Sequence, residues 1–433
     1  MGTLKAVRGT RDLLPPETAL WNRIEATARD VFARYNFGEI RTPVFEETAL
    51  FARGVGEETD IVSKEMYTWE DRARAQSENT QSLTLRPENT AGVVRAAIEH
   101  NLFESGQLQK LYYIGPQFRR ERPQKGRYRQ FSQIGAEVIG PPSSGSESPL
   151  RDAEILEMLA TLLDELGITG WKLELNSVGS ASDRARYNET LRAALVPVVS
   201  QMCADCQRRA VTNPLRVLDC KVPADQPIIE KLPVIADSLD EASQAHFAAV
   251  TAALDAAGVP YTLNHRLVRG LDYYTRTTFE FTHGGLGAQN ALLGGGRYDG
   301  LSEMLGGPRA PGIGFAMGED RLVLTLLAQL DEKAAPRQMA EAFIAPLGEN
   351  LNAAALVLAR ELRHQGLWVE LGEGSFRLKK SFEAADKTAR HIIILGEDEL
   401  KSGILTVKNF YTGIQTKVPR AELTVFLSTP ASE

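Results

Sequence analysis

The chain has 433 residues, 43% of them hydrophobic and 24% charged, with a formal net charge of −7. That length allows two to four domains, each with its own core, and that charge excludes a chain-wide basic surface for nucleic acid, so a phosphate-binding patch must be local. No stretch approaches the roughly 18 apolar residues of a membrane span and the N-terminal residues carry no apolar signal core, so a cytoplasmic protein without membrane contact is expected.

In chain order, an apolar stripe at Leu20, Ile24, Ala28, Val31 and Phe32 behind Pro15-Pro16 predicts a helix over 13–35. Residues 39–45 read as a strand interrupted by Pro43, and proline suits sheet ends or subunit contacts. Residues 108–139 read as two strands joined by a basic loop, 141–149 as a flexible Ser/Gly/Pro segment, 152–166 as a helix and 171–176 as a strand. Residues 180–262 are helix- and alanine-rich and read as an insertion between two halves of one sheet. They hold all three cysteines, Cys203, Cys206 and Cys220. A zinc knuckle needs four ligands, and the nearest histidines, His246 and His265, are distant in sequence. The thiols therefore read as reduced groups in a small subdomain, with no metal assigned to protein side chains.

From 275 to 281, Thr277, Phe279 and Phe281 alternate with Arg276, Thr278 and Glu280 at strand period. A glycine-dense run over 284–318 precedes a helix over 319–330 and a linker over 331–337. Strands at 342–346, 367–371 and 391–395 then alternate with helices at 351–365 and 378–389, which predicts a small α/β domain with a largely parallel sheet.

Four constellations carry chemistry. In Leu267–Phe281, Arg269, Asp272, Tyr273 and Tyr274 gather around a glycine where a structural strand would carry aliphatics, which suits a small polar ligand. Between Arg119 and Arg129 stand six basic residues, Arg119, Arg120, Arg122, Lys125, Arg127 and Arg129, against one acid, Glu121. A charge run alone reads equally well as a solvated face. On the returning strand, however, Phe131, Gln133, Gly135 and Glu137 recur at i, i+2 and share one face, forming a ligand platform. Gly312, Gly314, Ala316 and Gly318 leave a strand face nearly bare, over which a flat ring can lie, and Arg321 follows in the first turn of a helix. This GxGxxxG spacing excludes a dinucleotide fingerprint, and no P-loop occurs. Gly294–Gly300 adds a close backbone approach beside Tyr298. Finally, Glu88 and Thr90 stand at a helix start, where they suit an ammonium group or, alternatively, act as a helix cap.

With these residues in place, the chain resembles the bacterial-type histidyl-tRNA synthetases, class II aminoacyl-tRNA synthetases, over essentially its whole length. Residues 40–51, 118–137 and 312–321 are similar to the three class II motifs, which specify chemistry and fold but not the amino acid. Leu267–Tyr274 (LVRGLDYY) is similar to a stretch peculiar to the histidine enzymes, and Arg8–Pro15 and Gly294–Asp299 agree with it. The resemblance implies an α+β catalytic domain with an antiparallel sheet over 1–330, a helical insertion over 180–262 and a C-terminal α/β anticodon-binding domain over 338–433. It implies activation of L-histidine with ATP and Mg²⁺, transfer to the histidine tRNA, and a homodimer.

By the same resemblance Arg119 and Arg321 grip ATP phosphates, Glu121 meets the adenine amino group, Phe131 stacks on the ring and Arg127 reaches the terminal phosphates. Glu88, Thr90 and Gln133 hold the substrate ammonium, with Arg119 close by. Glu137, Tyr274 and Tyr298 read the imidazole, Tyr273 lines the pocket, and Arg269 stands between the histidine carboxylate and the α-phosphate. No editing domain is apparent. Asn89 and the pair Glu319-Asp320 depart from the family pattern without removing any of these ligands. The C-terminal cluster Arg377, Lys379, Lys380, Lys387 and Arg390 offers a phosphate surface. Two alternatives are a non-catalytic synthetase-like subunit, which lacks the C-terminal domain and the catalytic arginines, and a class II enzyme for another amino acid, which lacks the LVRGLDYY stretch.

Overall fold

The computed structural model describes residues 3–56, 59–71, 81–124, 126–268, 270–286, 290–329 and 339–428; Arg269, Lys125 and the 331–337 linker lie outside them. The chain divides into two compact units, 1–335 and 336–433.

In the first unit the strands are, in chain order, β1 (Gly38–Glu39), β2 (Phe45–Glu47), β3 (Tyr67–Glu70), β4 (Ser82–Leu85), β5 (Gln109–Phe118), β6 (Gln130–Ile139), β7 (Trp171–Ser177), β8 (Thr262–Leu263), β9 (Thr275–His283), β10 (Ala291–Arg297) and β11 (Gly312–Gly318). Eight of them form one sheet in the order β1-β5-β6-β11-β10-β9-β7-β8, and β2-β4-β3 form a second, small one. From β5 to β7 every neighbour is antiparallel; only the edge strands β1 and β8 pair in parallel. The expected single strand over 39–45 is therefore two short strands in different sheets. Pro43 lies between them and cannot donate to a ladder, so the chain leaves one sheet before entering the next.

Register gives the large sheet two unlike faces. Glu137 pairs with Gly314, Gly135 with Ala316 and Gln133 with Gly318, while Gly314 and Ala316 face Gly296 and Gly294 across the next ladder. Opposed residues point the same way, so these side chains and bare backbones share a face. The alternate residues Ile134, Ala136, Val138, Ile313, Phe315, Met317, Phe279 and Phe281 lie on the other face and are buried. Against them pack the helices Glu17–Arg34, Pro149–Glu165, Glu241–Ala257 and Glu319–Gln329, through Ile24, Phe32, Leu156, Leu159, Val250, Leu254 and Leu322 among others. The stripe expected on the first helix is buried as read. Each such side chain contributes about 1.5–3 kcal/mol by leaving water, so the sheet is anchored from one side and its other face is left for ligands.

Residues 141–149, read from sequence as flexible, are ordered. The Ser144 and Ser146 hydroxyls donate to the Pro141 carbonyl at 2.6 and 3.1 Å, and Ser148 caps the helix Pro149–Glu165. Arg297 also departs from the glycine run it belongs to. It points to the core side, fully buried, where its Nε donates to Asp152 at 3.1 Å and its Nη2 to the Ser146 carbonyl at 2.9 Å. Asp152 also accepts from Thr277 at 2.6 Å and bonds His246 at 2.8 Å.

The helical segment after β7 is not uniform. Residues between Val178 and Ile235, with Val268, form a core of their own, whereas the helix Glu241–Ala257 joins the core under the sheet.

The second unit is a five-stranded sheet. Its strands are β12 (Ala340–Pro346), β13 (Val369–Leu371), β14 (Ala389–Leu395), β15 (Ile404–Asn409) and β16 (Gln415–Pro419), in the order β13-β12-β14-β15-β16. β12 is parallel to β13 and β14, but β14–β15 and β15–β16 are antiparallel. The largely parallel sheet expected from sequence is thus mixed, because two strands beyond residue 395 complete it as a hairpin.

Candidate active site

The ligand face of the large sheet divides along β6. Phe131 and Glu137 are six residues apart, so at about 3.3 Å per residue they stand roughly 20 Å apart, room for an adenosine at one end and an amino acid at the other.

At the Phe131 end lies an open cleft of about 170 Å³. Arg119, Glu121, Arg127, Phe131, Gln133 and Arg321 all line it, together with Tyr128, Glu280, Gly294, Ala316, Gly318 and Asp320. The five expected nucleotide residues thus converge, although the chain brings them from two segments almost 200 residues apart. Arg119 is aimed by its Nε, which donates to the Pro87 carbonyl at 2.9 Å, and its guanidinium lies 5.3 Å from the Phe131 ring centre. Glu121 carries Arg127 at 3.0 Å and stands 3.8 Å from Arg119, so one carboxylate holds two cations beside the cleft. Arg321 sits in the first turn of the helix that follows β11 and donates to the Ala291 carbonyl at 2.5 Å. A Cβ at Gly318 would meet nothing within 4 Å, which marks the open floor.

At the Glu137 end the site is closed. Glu137 and Glu88 are both buried. Thr90 Oγ1 donates to Glu137 Oε1 at 2.7 Å and Tyr298 Oη to Oε2 at 2.7 Å. Glu88 accepts from the backbone N–H groups of Thr90 and Ala91, at 2.7 and 3.0 Å, so it does act as a cap on the helix Thr90–Glu99 while standing in the same pocket. Tyr273 packs against Tyr274 and Tyr298 with ring centres 4.7 and 5.9 Å away. Burial pushes the Glu137 carboxyl up to about 8, against the hydrogen bonds from Tyr298 and Thr90, with Glu88 adding to the rise. Burial likewise raises Glu88. The glycines are required here by contact: a Cβ at Gly314 would fall inside the Glu137 carboxylate, and one at Gly135 would collide with the Tyr113 hydroxyl.

Several polar groups on this face have nothing to bond. Among the described residues, Tyr113 Oη, both amide atoms of Gln117, Gln133 Oε1 and Thr278 Oγ1 are buried without a hydrogen-bond partner. Register puts all four on the ligand side: Tyr113 opposes Gly135, Gln117 opposes Phe131, Gln133 opposes Gly318, and Thr278 opposes Gly296. Each unpaired buried group costs about 1–3 kcal/mol, and a substrate that satisfies them recovers that cost. Sequence reading named only Gln133 of these. The signal was present in Tyr113-x-Gly115-x-Gln117, which alternates on β5 as β6 does. Tyr128 and Glu280 were also missed as lining residues.

Two further features lie apart from this face. A larger concavity, about 700 Å³, lies elsewhere in the unit, lined by Ile40–Pro43, Glu46, Arg53, Arg95 and His100. The three cysteines gather with Asp225 in the insertion core.

A family model described as histidyl-tRNA synthetase matches residues 9–322, and one described as an anticodon binding domain matches residues 341–429. The histidine–tRNA ligase of Koribacter versatilis is 72% identical over 98% of this chain and 96% of its own length. That of Solibacter usitatus is 56% identical over 97% and 98%. The crystal structure of the apo histidyl-tRNA synthetase of S. aureus superposes with a TM-score of 0.79 at 38% identity, covering 99% of this chain and 100% of that one. The class II architecture of a large antiparallel sheet followed by a C-terminal α/β domain is shared with it. The chain belongs to the histidyl-tRNA synthetase family.

Proposed function

We propose a place for each reactant in the reaction of this family: activation of histidine by ATP to histidyl-adenylate, then transfer of the histidyl group to the 3′ end of the histidine tRNA. The observation that carries the placement is the set of buried, unpartnered polar groups on one face of the sheet, between a closed carboxylate pocket and an arginine-lined cleft.

Histidine occupies the Glu137 end. Its imidazole N–H is read by Glu137, held in place by Thr90 and Tyr298, with Tyr273 and Tyr274 as walls; its ammonium meets Glu88, Thr90 and Gln133. A pocket built to bond ring nitrogens rejects amino acids that lack them by about 10⁴–10⁵, so no separate editing site is required. ATP occupies the cleft, its adenine on Phe131 with Glu121 at the amino group, its phosphates between Arg119, Arg127 and Arg321. Arg269, whose role rests on the sequence alone, bridges the histidine carboxylate and the α-phosphate.

The chemistry needs no general base. An α-carboxylate with pKa about 3.3–3.7 is already the nucleophile at pH 7. The barrier is repulsion between that anion and the triphosphate, and fixed arginines lower it as charge develops on the phosphate. When bound with the nucleotide, Mg²⁺ supplies further charge neutralisation. It would take oxygen ligands, and Glu280, Asp320 and Glu121 are the carboxylates lining the cleft that could supply them.

A homodimer is also part of the reading. The 700 Å³ concavity follows the segment broken by Pro43, and Val44, Phe45 and Trp69 stand exposed in that part of the chain, as an unpaired subunit interface would leave them. Among the described residues no helix is long and apolar enough to cross a membrane, and we place the protein in the cytoplasm. In the second unit the exposed basic residues at 377, 379, 380, 387 and 390 offer the anticodon stem a phosphate surface.

The test is amino-acid-dependent exchange of pyrophosphate into ATP. Histidine is expected to support it, with proline and threonine inert; exchange driven by another amino acid contradicts the assignment.

A further inference from the structure

The insertion core contains a cluster that the reaction above does not use. Cys203 caps the helix Ala204–Thr212, Cys206 stands in its first turn, Cys220 follows the short turn Pro214–Val217, and Asp225 ends the turn Pro223–Asp225. The three sulfurs and one carboxylate oxygen of Asp225 all lie within 4.8 Å of one another. Cys203 Sγ is 3.9 Å from Cys220 Sγ, and Cys220 Sγ is 3.3 Å from Asp225 Oδ2. With Zn–S near 2.3 Å and Zn–O near 2.0–2.2 Å, a tetrahedral site has ligand–ligand edges of about 3.5–3.8 Å. The four atoms therefore stand near the corners that one zinc ion would occupy. The cysteines are free, and 3.9 Å is far beyond the roughly 2.05 Å of a disulfide.

Charge points the same way. Asp225 is 1% exposed and accepts the Cys203 backbone N–H, at 3.1 and 3.2 Å, and the Cys220 thiol. Among the described residues no lysine, arginine or histidine pairs with it. A buried carboxylate surrounded by sulfur and left without a cation is costly, and a divalent ion removes that cost. The same carboxylate is already oriented by the Cys203 N–H, the outer hydrogen bonding that metal ligands require.

We propose that Cys203, Cys206, Cys220 and Asp225, spaced C-x2-C-x13-C-x4-D, form a closed structural zinc site that staples the insertion core. Four protein ligands leave no open coordination position, so the ion holds structure and takes no part in adenylation. Thiolate-rich tetrahedral coordination selects zinc over magnesium or calcium. The residues between the ligands then act as a strut. Asn213 Nδ2 donates to Asp272 Oδ1 at 2.9 Å, directly beside Tyr273 and Tyr274, and Arg209 and Arg216 stand 3.5 and 3.8 Å from Asp60. The site thereby supports the histidine end of the catalytic face from outside it.

The test uses full-length protein purified under reducing conditions. Elemental analysis is expected to find about one zinc per chain. After chelator stripping, Co²⁺ is expected to give thiolate charge-transfer bands and the d–d absorption of a tetrahedral site, displaced by one equivalent of Zn²⁺. Cys206→Ser is expected to weaken Co²⁺ binding by about 10–100-fold. Should that variant be insoluble, Asp225→Asn, which keeps the side-chain shape, is expected to shift the d–d bands and bind at least about tenfold more weakly. Absence of zinc together with no tetrahedral Co²⁺ spectrum from the reduced protein overturns the proposal. So does a Cys203–Cys220 disulfide found by mass spectrometry of the native protein alkylated without reduction.

Discussion

The two ends of the proposed ligand face are built by opposite means. At the Phe131 end the groups are charged and partly in water: Arg127 keeps 42% of its side chain exposed while paired with Glu121. At the Glu137 end the carboxylate, its two hydroxyl donors and the tyrosine walls are all buried, with the carboxyl pushed up to about 8. Exposed charges contribute little to stability but answer strongly when a phosphate excludes water from them. Buried hydrogen bonds are worth most as discriminators, because a substrate that fails to complete them leaves desolvated groups unpaired. On the proposed placement, one strand would serve rate enhancement at one end and choice of amino acid at the other.

The largest effect expected is at the charged end. Arg321→Ala and Arg269→Ala should each lower the exchange rate by about 10²–10³-fold with the fold intact, as removal of a transition-state charge partner does. Near wild-type single-turnover activation in Arg269→Ala would show that residue to be misplaced. Next, Tyr298→Phe removes one donor to Glu137 and should raise the KM for histidine about 10-fold, the cost of a hydrogen bond to a charged group. A rise in the KM for ATP instead would merge the two ends. A smaller effect is expected from pH. The folded-state pKa of Glu137 lies above its ordinary value, so its stabilising contribution is complete below about 4.5 and is lost as pH rises through about 8. Glu319, pushed up to about 7 by burial, acts in the same direction. Histidine binding to ionised Glu137 should therefore tighten by up to about tenfold from pH 7 to 8.5, with release of a proton at pH 7. Calorimetry in buffers of differing ionisation heat checks this, and Glu137→Gln should abolish it. The smallest effect should follow Arg127→Ala, whose exposed pair with Glu121 is worth about 0.2–1 kcal/mol. Its thermal midpoint is expected to stay near wild type while the KM for ATP rises a few-fold.

Much of the charged end was legible in the sequence, because its signals are local: a run of arginines, a strand alternating Phe131, Gln133, Gly135 and Glu137, and a strand with almost no side chains. The closed end was legible only in part. Thr278 and Tyr113 are 165 positions apart, and only strand register brings them to one face. Arg297 sits in a glycine run that lines the face, yet it turns to the core because strand period puts it on the other side. Asp225 was not read as a fourth ligand because a carboxylate among cysteines has no sequence signature of its own. Pro43 was seen correctly as a break, but that the break separates two sheets depends on the pairing of β2 with β4.

The most direct test of the division is steady-state exchange by Glu137→Gln with histidine and ATP varied separately. The KM for histidine is expected to rise about tenfold or more, as loss of a charged hydrogen-bond acceptor implies, with the KM for ATP unchanged within about twofold. Equal rises in both constants, or a rise for ATP alone, would contradict the account.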